Sequence, residues 1–201
     1  MMKLRFLFSL LTTCFTLQMN AQNSTDYYYE IPDYPPKYTA GAVAGRVADG
    51  LGFRYYHATA GLTAENMSFK SNEDGRTIEQ TMDHIWSLCR IVMNATNEEP
   101  TDFTAPNPLA DMTFEEKRTQ TLKFIKVASD NLKKSSAKDF KKYQMIFLQA
   151  GGNKAEYPFW NELNGPLSDA LWHTGQVVLM RRGAGNPFNS NASVLSGKVK
   201  N

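Results

Sequence analysis

Three ionisable side chains are spaced so that they could share one cation: His84 in one predicted helix, and Asp169 with His173 in another. At about 100° per residue, positions i and i+4 lie one above the other on a helix, so Asp169 and His173 can reach the same point. Two imidazoles and a carboxylate suit a divalent ion such as zinc, nickel or iron. Three protein ligands also leave other positions open, as catalytic sites require and structural sites avoid. Gln176, one turn beyond His173, is placed to orient a ligand or a bound water. His57, beside Tyr55 and Tyr56 near the end of an earlier helix, is a candidate supporting group or general base, or simply a histidine at a helix end complementing its dipole. Spacing alone leaves two readings of the triad open: a metal site, or a local Asp–His ion pair beside a hydrogen-bonded core histidine.

Four helical stretches must position these groups. The first runs from about Thr39 to Ala60, with Val43, Val47, Leu51 and Phe53 or Arg54 returning at helical spacing and Gly61 stopping it. A second opens at the capping box Thr77-Ile78-Glu79-Gln80 and carries Ile78, Met82, Ile85, Cys89 and Val92 down one stripe, with His84 at its edge. A third opens at Thr113-Phe114-Glu115-Glu116 and continues through Leu122, Phe124, Ile125, Val127 and Leu132. The last spans about Pro158 to Arg182, where Gly165-Pro166 marks either a kink or the true start. Tyr143 to Gln149 reads as a short strand or a buried connector, and the long connections 61–76 and 97–112 could roof a cavity. Four amphipathic helices in one domain predict an all-α fold, a four-helix bundle, over residues 39–201. An arm rich in Tyr and Pro, residues 22–38, precedes it and is expected to pack its rings over the bundle.

The run from Asn164 to Val178, with Asp169, His173 and Gln176 at its centre, resembles the last-helix signature of the DinB/YfiT-like four-helix-bundle superfamily, in which a His-x-x-x-His-x-x-Gln pattern supplies two metal ligands. Thr81-Met82-Asp83-His84-Ile85 is similar to the second-helix signature that supplies the third. The resemblance extends to exported bacterial relatives with a Tyr-rich arm, a Gly-Phe-Arg-Tyr-Tyr first helix, here Gly52 to Tyr56, and an Asp-Ala-Leu-Trp-His ending. It implies a metal held by His84, Asp169 and His173, and a chemistry of thiol transfer or hydrolysis. Asp169 stands where the wider pattern has a histidine, which changes the donor set to two histidines and one carboxylate.

The chain starts with a short basic region, an apolar run from Phe6 to Leu17 too short to span a bilayer, and Ala21 before Gln22, the layout of a cleaved export signal over residues 1–21. Its removal takes Lys3 and Arg5 and no acidic residue, so the formal charge of +2 falls to zero. Nucleic acid and anionic membranes need clustered positive charge, and neither is expected as a partner, nor is a membrane anchor. Lys133, Lys134, Lys138, Lys141 and Lys142 read as a solvated helix end. Of the two cysteines, only Cys89 outlasts the cut; it shares an apolar stripe and reads as a buried hydrophobe. Trp86, Trp160 and Trp172 read as core or cavity wall. No Gly-rich phosphate loop, nucleophile elbow or Cys-pair zinc motif is present, which argues against nucleotide chemistry. What remains is an exported, metal-dependent hydrolase or transferase acting on an unspecified small molecule, a non-catalytic ligand-binding bundle, or a metal-free structural bundle. A homodimer is compatible with each.

Overall fold

The computed structural model describes residues 27–200. The predicted export signal and the first residues of the arm, 22–26, lie outside them. Four long helices form the bundle: α1 (Ala40–Thr59), α3 (Ile78–Thr96), α4 (Phe114–Lys134) and α6 (Ser168–Gly183). The single-turn helix α2 (Ala64–Met67) follows α1, and α5 (Phe159–Glu162) precedes α6. Each of the first three long helices begins where a threonine can satisfy an orphan backbone donor. The Thr39 hydroxyl accepts from the Ala42 N–H at 3.0 Å. Thr77 and Gln80 exchange bonds of 2.9 and 3.1 Å, and Thr113 and Glu116 bonds of 2.8 and 3.3 Å, both as reciprocal capping boxes.

Contacts order the helices as a ring, α1 against α4, α4 against α3, α3 against α6 and α6 against α1. Their directions follow from the pairs they make. Arg118, early in α4, donates to Thr59 and to the Tyr56 carbonyl late in α1, so these two helices are antiparallel. Lys117 pairs with Asp83 and Asn131 donates to the Thr96 carbonyl, so α3 and α4 run parallel. Arg181 donates to the carbonyls of His57 and Ala58, placing the ends of α6 and α1 together. The path is therefore up, down, down, up, and the connection from α3 to α4 must return along the whole bundle. It does so as a crossover carrying the short strand β1 (Thr101–Asp102). β1 pairs in parallel with β2 (Met145–Leu148), the strand alternative for the apolar run at 143–149, and β2 pairs antiparallel with β3 (Lys154–Tyr157). The bundle is thus mostly helical with small sheets laid on it.

The core stripe of α3 is as expected: Ile78, Met82, Ile85, Cys89 and Val92 are all buried. On α1 the expected stripe holds at Leu51 and Phe53 but not at Val43 and Val47. Val43 and Val47 are 53% and 41% exposed, while Ala44, Ala48, Leu51, Tyr55 and Ala58 face inward. Small residues win this face because α4 comes close: a Cβ on Gly41 would stand 2.2 Å from the Leu132 carbonyl oxygen. Trp86 is buried, but Trp160 and Trp172 are 76% and 72% exposed, so neither is core. Trp172 lies on the solvent side of the last helix, opposite the inward-facing Ala170, Thr174 and Val177, and Trp160 lies on the exposed side of α5.

The arm lies on the bundle from Tyr27 to Ile31, whereas Tyr34 is mostly exposed beside Arg46 and Tyr38 is fully exposed, so its later rings do not pack on the core as expected. Tyr28 is buried, with its hydroxyl 3.2 Å from Asp49 Oδ1, and its ring occupies the space that a side chain on Gly52 would need. Buried Asp49 also accepts from Ser129 at 2.6 Å and pairs with Lys133 at 2.6 Å, so Lys133 is turned inward and is not part of a solvated helix end. Further along the arm, the Ile31 N–H donates to the Gly197 carbonyl at 2.8 Å. Gly197 closes a hairpin of β4 (Ala192–Ser193) and β5 (Lys198–Val199), and Lys198 pairs with Glu30 at 2.9 Å. Among the described residues no helix is long and apolar enough to cross a membrane.

Candidate metal centre

The last helix reaches the site through a wide turn. Pro166 has no N–H for the carbonyl four residues back, and its ring would press on that carbonyl, so residues 163–167 open into a π-type turn with Gly165 at φ −94°, ψ −110°. The Ser168 hydroxyl takes up the Leu163 carbonyl at 2.6 Å. The Gly165-Pro166 signal is therefore a kink within a continuing helix. Regular α-helix resumes at Ser168, which sets Asp169 and His173 on one face toward α3.

There the three predicted residues converge. Asp169 Oδ2 lies 3.4 Å from His84 Nε2, and its Oδ1 lies 3.3 Å from His173 Nε2. One donor atom from each of the three residues falls within 4.8 Å of the others. The two imidazole rings meet edge to face, with centroids 4.7 Å apart. Ligand bonds of about 2.0–2.2 Å to a tetrahedral ion put neighbouring donors roughly 3.4 Å apart, so both carboxylate–imidazole separations fit a shared ion. Side-chain exposures of 32%, 36% and 14% for His84, Asp169 and His173 leave one side of the cluster open to solvent.

Gln176 supports the set from one turn along. His173 Nδ1 lies 2.7 Å from Gln176 Oε1, and with the N–H on Nδ1 the Nε2 lone pair points at Asp169. A lone pair and a carboxylate oxygen 3.3 Å apart repel unless positive charge lies between them. Burial is the main cause that lowers the pKa of His84, followed by the charge of Arg76 and by His173, against the opposing pull of Asp169. Its imidazole is thereby held in the neutral form that binds metals.

His57 is elsewhere. Its Nε2 lies 2.9 Å from the Tyr29 carbonyl, and Phe53, Tyr56 and Phe188 surround its ring. A buried histidine that anchors the arm replaces the expected supporting group or general base. Cys89 is buried, and desolvation pushes its thiol well above the ordinary range, so it is no nucleophile. Two residues gave no sequence signal of a role. Arg76, in the loop before α3, lines a cleft shared with His173 and Gln176. Glu162 is fully buried, and among the described residues neither of its carboxylate oxygens has a hydrogen-bond partner.

Fold and site define a four-helix-bundle protein with a His-Asp-His cluster between its second and fourth long helices. No family model matches the sequence, and no curated protein matches it. Among solved structures, the chain is similar to a DinB-like protein of Bacillus subtilis, YjoA, with 12% identity and a TM-score of 0.42 over 81% of this chain and 91% of that one.

Proposed function

We propose that the protein is a metal-dependent hydrolase or transferase in which His84, Asp169 and His173 hold one divalent ion. One observation carries this reading: one possible ligand atom from each of the three residues, on two helices, lies within 4.8 Å of the others, with His173 Nδ1 engaged by Gln176 and its Nε2 left facing the Asp169 carboxylate. A bound divalent ion would supply Lewis acidity, lowering the pKa of a water or thiol that reaches its open side. The chain's own residues bind and orient. Asp169 bridges the two imidazoles, Gln176 fixes the tautomer of His173, and the adjacent cleft of about 420 Å³ admits a small molecule. The resemblance of both helix motifs to the DinB/YfiT-like pattern supports the same donor set. The signal-like residues 1–21 add export to the proposal. Low-molecular-weight thiols are concentrated in the cytosol, so hydrolysis is favoured over thiol transfer.

Protein purified without chelators and then dialysed against zinc, nickel or iron(II) is expected to retain one ion per chain by elemental analysis. His84→Ala and His173→Ala should each abolish that retention while the helical circular dichroism stays intact. Wild type that retains no ion, or variants that retain as much as wild type, would refute the site. Turnover of ester or amide substrates by the loaded wild type and not by these variants is the expected catalytic result.

A further inference from the structure

The cleft beside the triad has a charge pattern that the ligand set does not explain. Ser71, Asn72 and Arg76 wall it from the loop before α3, and His173, Gln176 and Leu179 wall it from α6. No acidic side chain lines it, although Glu73 and Asp74 occupy the same loop. Arg76 is exposed, and among the described residues its guanidinium has neither an ion pair nor a hydrogen bond. It also stands immediately before the N-cap Thr77 of the 19-residue helix α3, where a cation opposes the helix dipole. Stability does not favour an unpaired guanidinium at that position, but an anion held in the cleft would. Gln176 adds a donor, since its Oε1 is engaged by His173 and its amide N–H groups are left over.

We propose that Arg76 is the specificity residue of this site: its guanidinium, with the amides of Asn72 and Gln176, receives an oxyanion group, carboxylate or phosphate, on a substrate whose reacting end faces His84, Asp169 and His173. The inference rests on the metal-site reading for the position of the reacting end. Planar guanidinium donors match both oxyanions in paired fashion, and charge-assisted bonds of this kind are among the stronger polar contacts. Leu179 and Met180 form the apolar part of the wall and suit a short hydrocarbon linker between the two ends.

Three hydroxamates that differ only in the tail, a methyl ester, a carboxylate and a phosphonate on the same short linker, test this by calorimetry with zinc-loaded protein. Wild type should bind at least one charged tail roughly tenfold or more tighter than the ester, and the preferred tail identifies the oxyanion. In Arg76→Gln that preference should vanish, with zinc content and affinity for the ester unchanged, and Arg76→Lys should restore part of it. Equal affinity for all three tails in wild type, or a preference that survives in R76Q, overturns the proposal. Should the protein take up none of zinc, nickel and iron(II), the metal-site reading fails on its own. The oxyanion subsite is then read from inorganic phosphate titrated into metal-free protein. Backbone amide shifts of residues 71–76 that saturate in wild type and weaken in R76Q retain it, and their absence overturns it.

Discussion

Gln176 makes no contact with the carboxylate, yet its Oε1 decides which nitrogen of His173 carries the proton and so which one offers a lone pair to the cluster. Gln176→Leu keeps the bulk and removes the acceptor. It is expected to weaken zinc binding by about 10–100-fold in competition with a chromogenic chelator, without loss of helix content. Glu162 presents the opposite situation, a carboxylic acid with no partner among the described residues. Burial pushes its pKa well above the ordinary glutamate range, so the folded protein keeps a proton that the unfolded chain releases. From about pH 4.5 upward, until the folded pKa is passed, each rise in pH therefore favours the unfolded state. Thermal melts of wild type should show stability falling across this window relative to Glu162→Met. The variant, similar in volume and uncharged, should be more stable by about 1–3 kcal/mol at neutral pH. A variant less stable than wild type at pH 7 would mean that Glu162 has a partner after all.

Helix α1 shows what sequence periodicity does and does not reveal. A search for large apolar residues selects Val43 and Val47, which face solvent, because hydrophobicity weighs glycine and alanine lightly. The contact with α4 in the first turns is chosen by size, since Gly41 and Gly45 leave no room for a side chain there. Gly41→Ala should therefore cost about 1–3 kcal/mol in urea unfolding, its Cβ meeting a backbone carbonyl that cannot step aside. Gly50→Ala meets only the flexible end of Arg54 and should instead stabilise by about 0.5–1 kcal/mol. Helix starts were far more legible. Thr39, Thr77 and Thr113 are the N-caps of their helices because capping chemistry is local and needs no knowledge of what packs where. The same locality made the Asp169–His173 pair readable, and the register of α3 brought His84 to it. Arg76 escaped notice because the cleft it lines exists only once its loop is folded against α6. β1 and β3 escaped it because two residues carry no period and Lys154-Ala155-Glu156-Tyr157 is a largely exposed strand.

For the molecule as a whole, the two ends of the described chain do the work that a disulfide would do elsewhere. Cys89 is buried and free, so it ties nothing together. Instead the arm inserts Tyr28 against Gly52 and delivers Ile31 to the C-terminal hairpin, where Phe53 and Ala192 complete a small second cluster. The Gly52 to Tyr56 motif thus serves the arm. Gly52 makes room for Tyr28, Phe53 meets Ile31, and Tyr56 stacks edge-on with Tyr29 at 5.9 Å. Removing residues 190–201 should uncover Ile31 and part of Phe53 and lower stability by about 2–4 kcal/mol, at roughly 1.5–3 kcal/mol for each large apolar side chain fully exposed. Because Ile31 is held by the Gly197 carbonyl, the arm should loosen with the hairpin, and limited chymotrypsin digestion should cut first near Tyr29 and Tyr34. The triad lies between α3 and α6 and touches neither end, so the truncated protein should still take up one zinc ion per chain. Loss of zinc together with the hairpin would show that the clasp reaches the metal centre through α6, whose Arg181 already grips the end of α1.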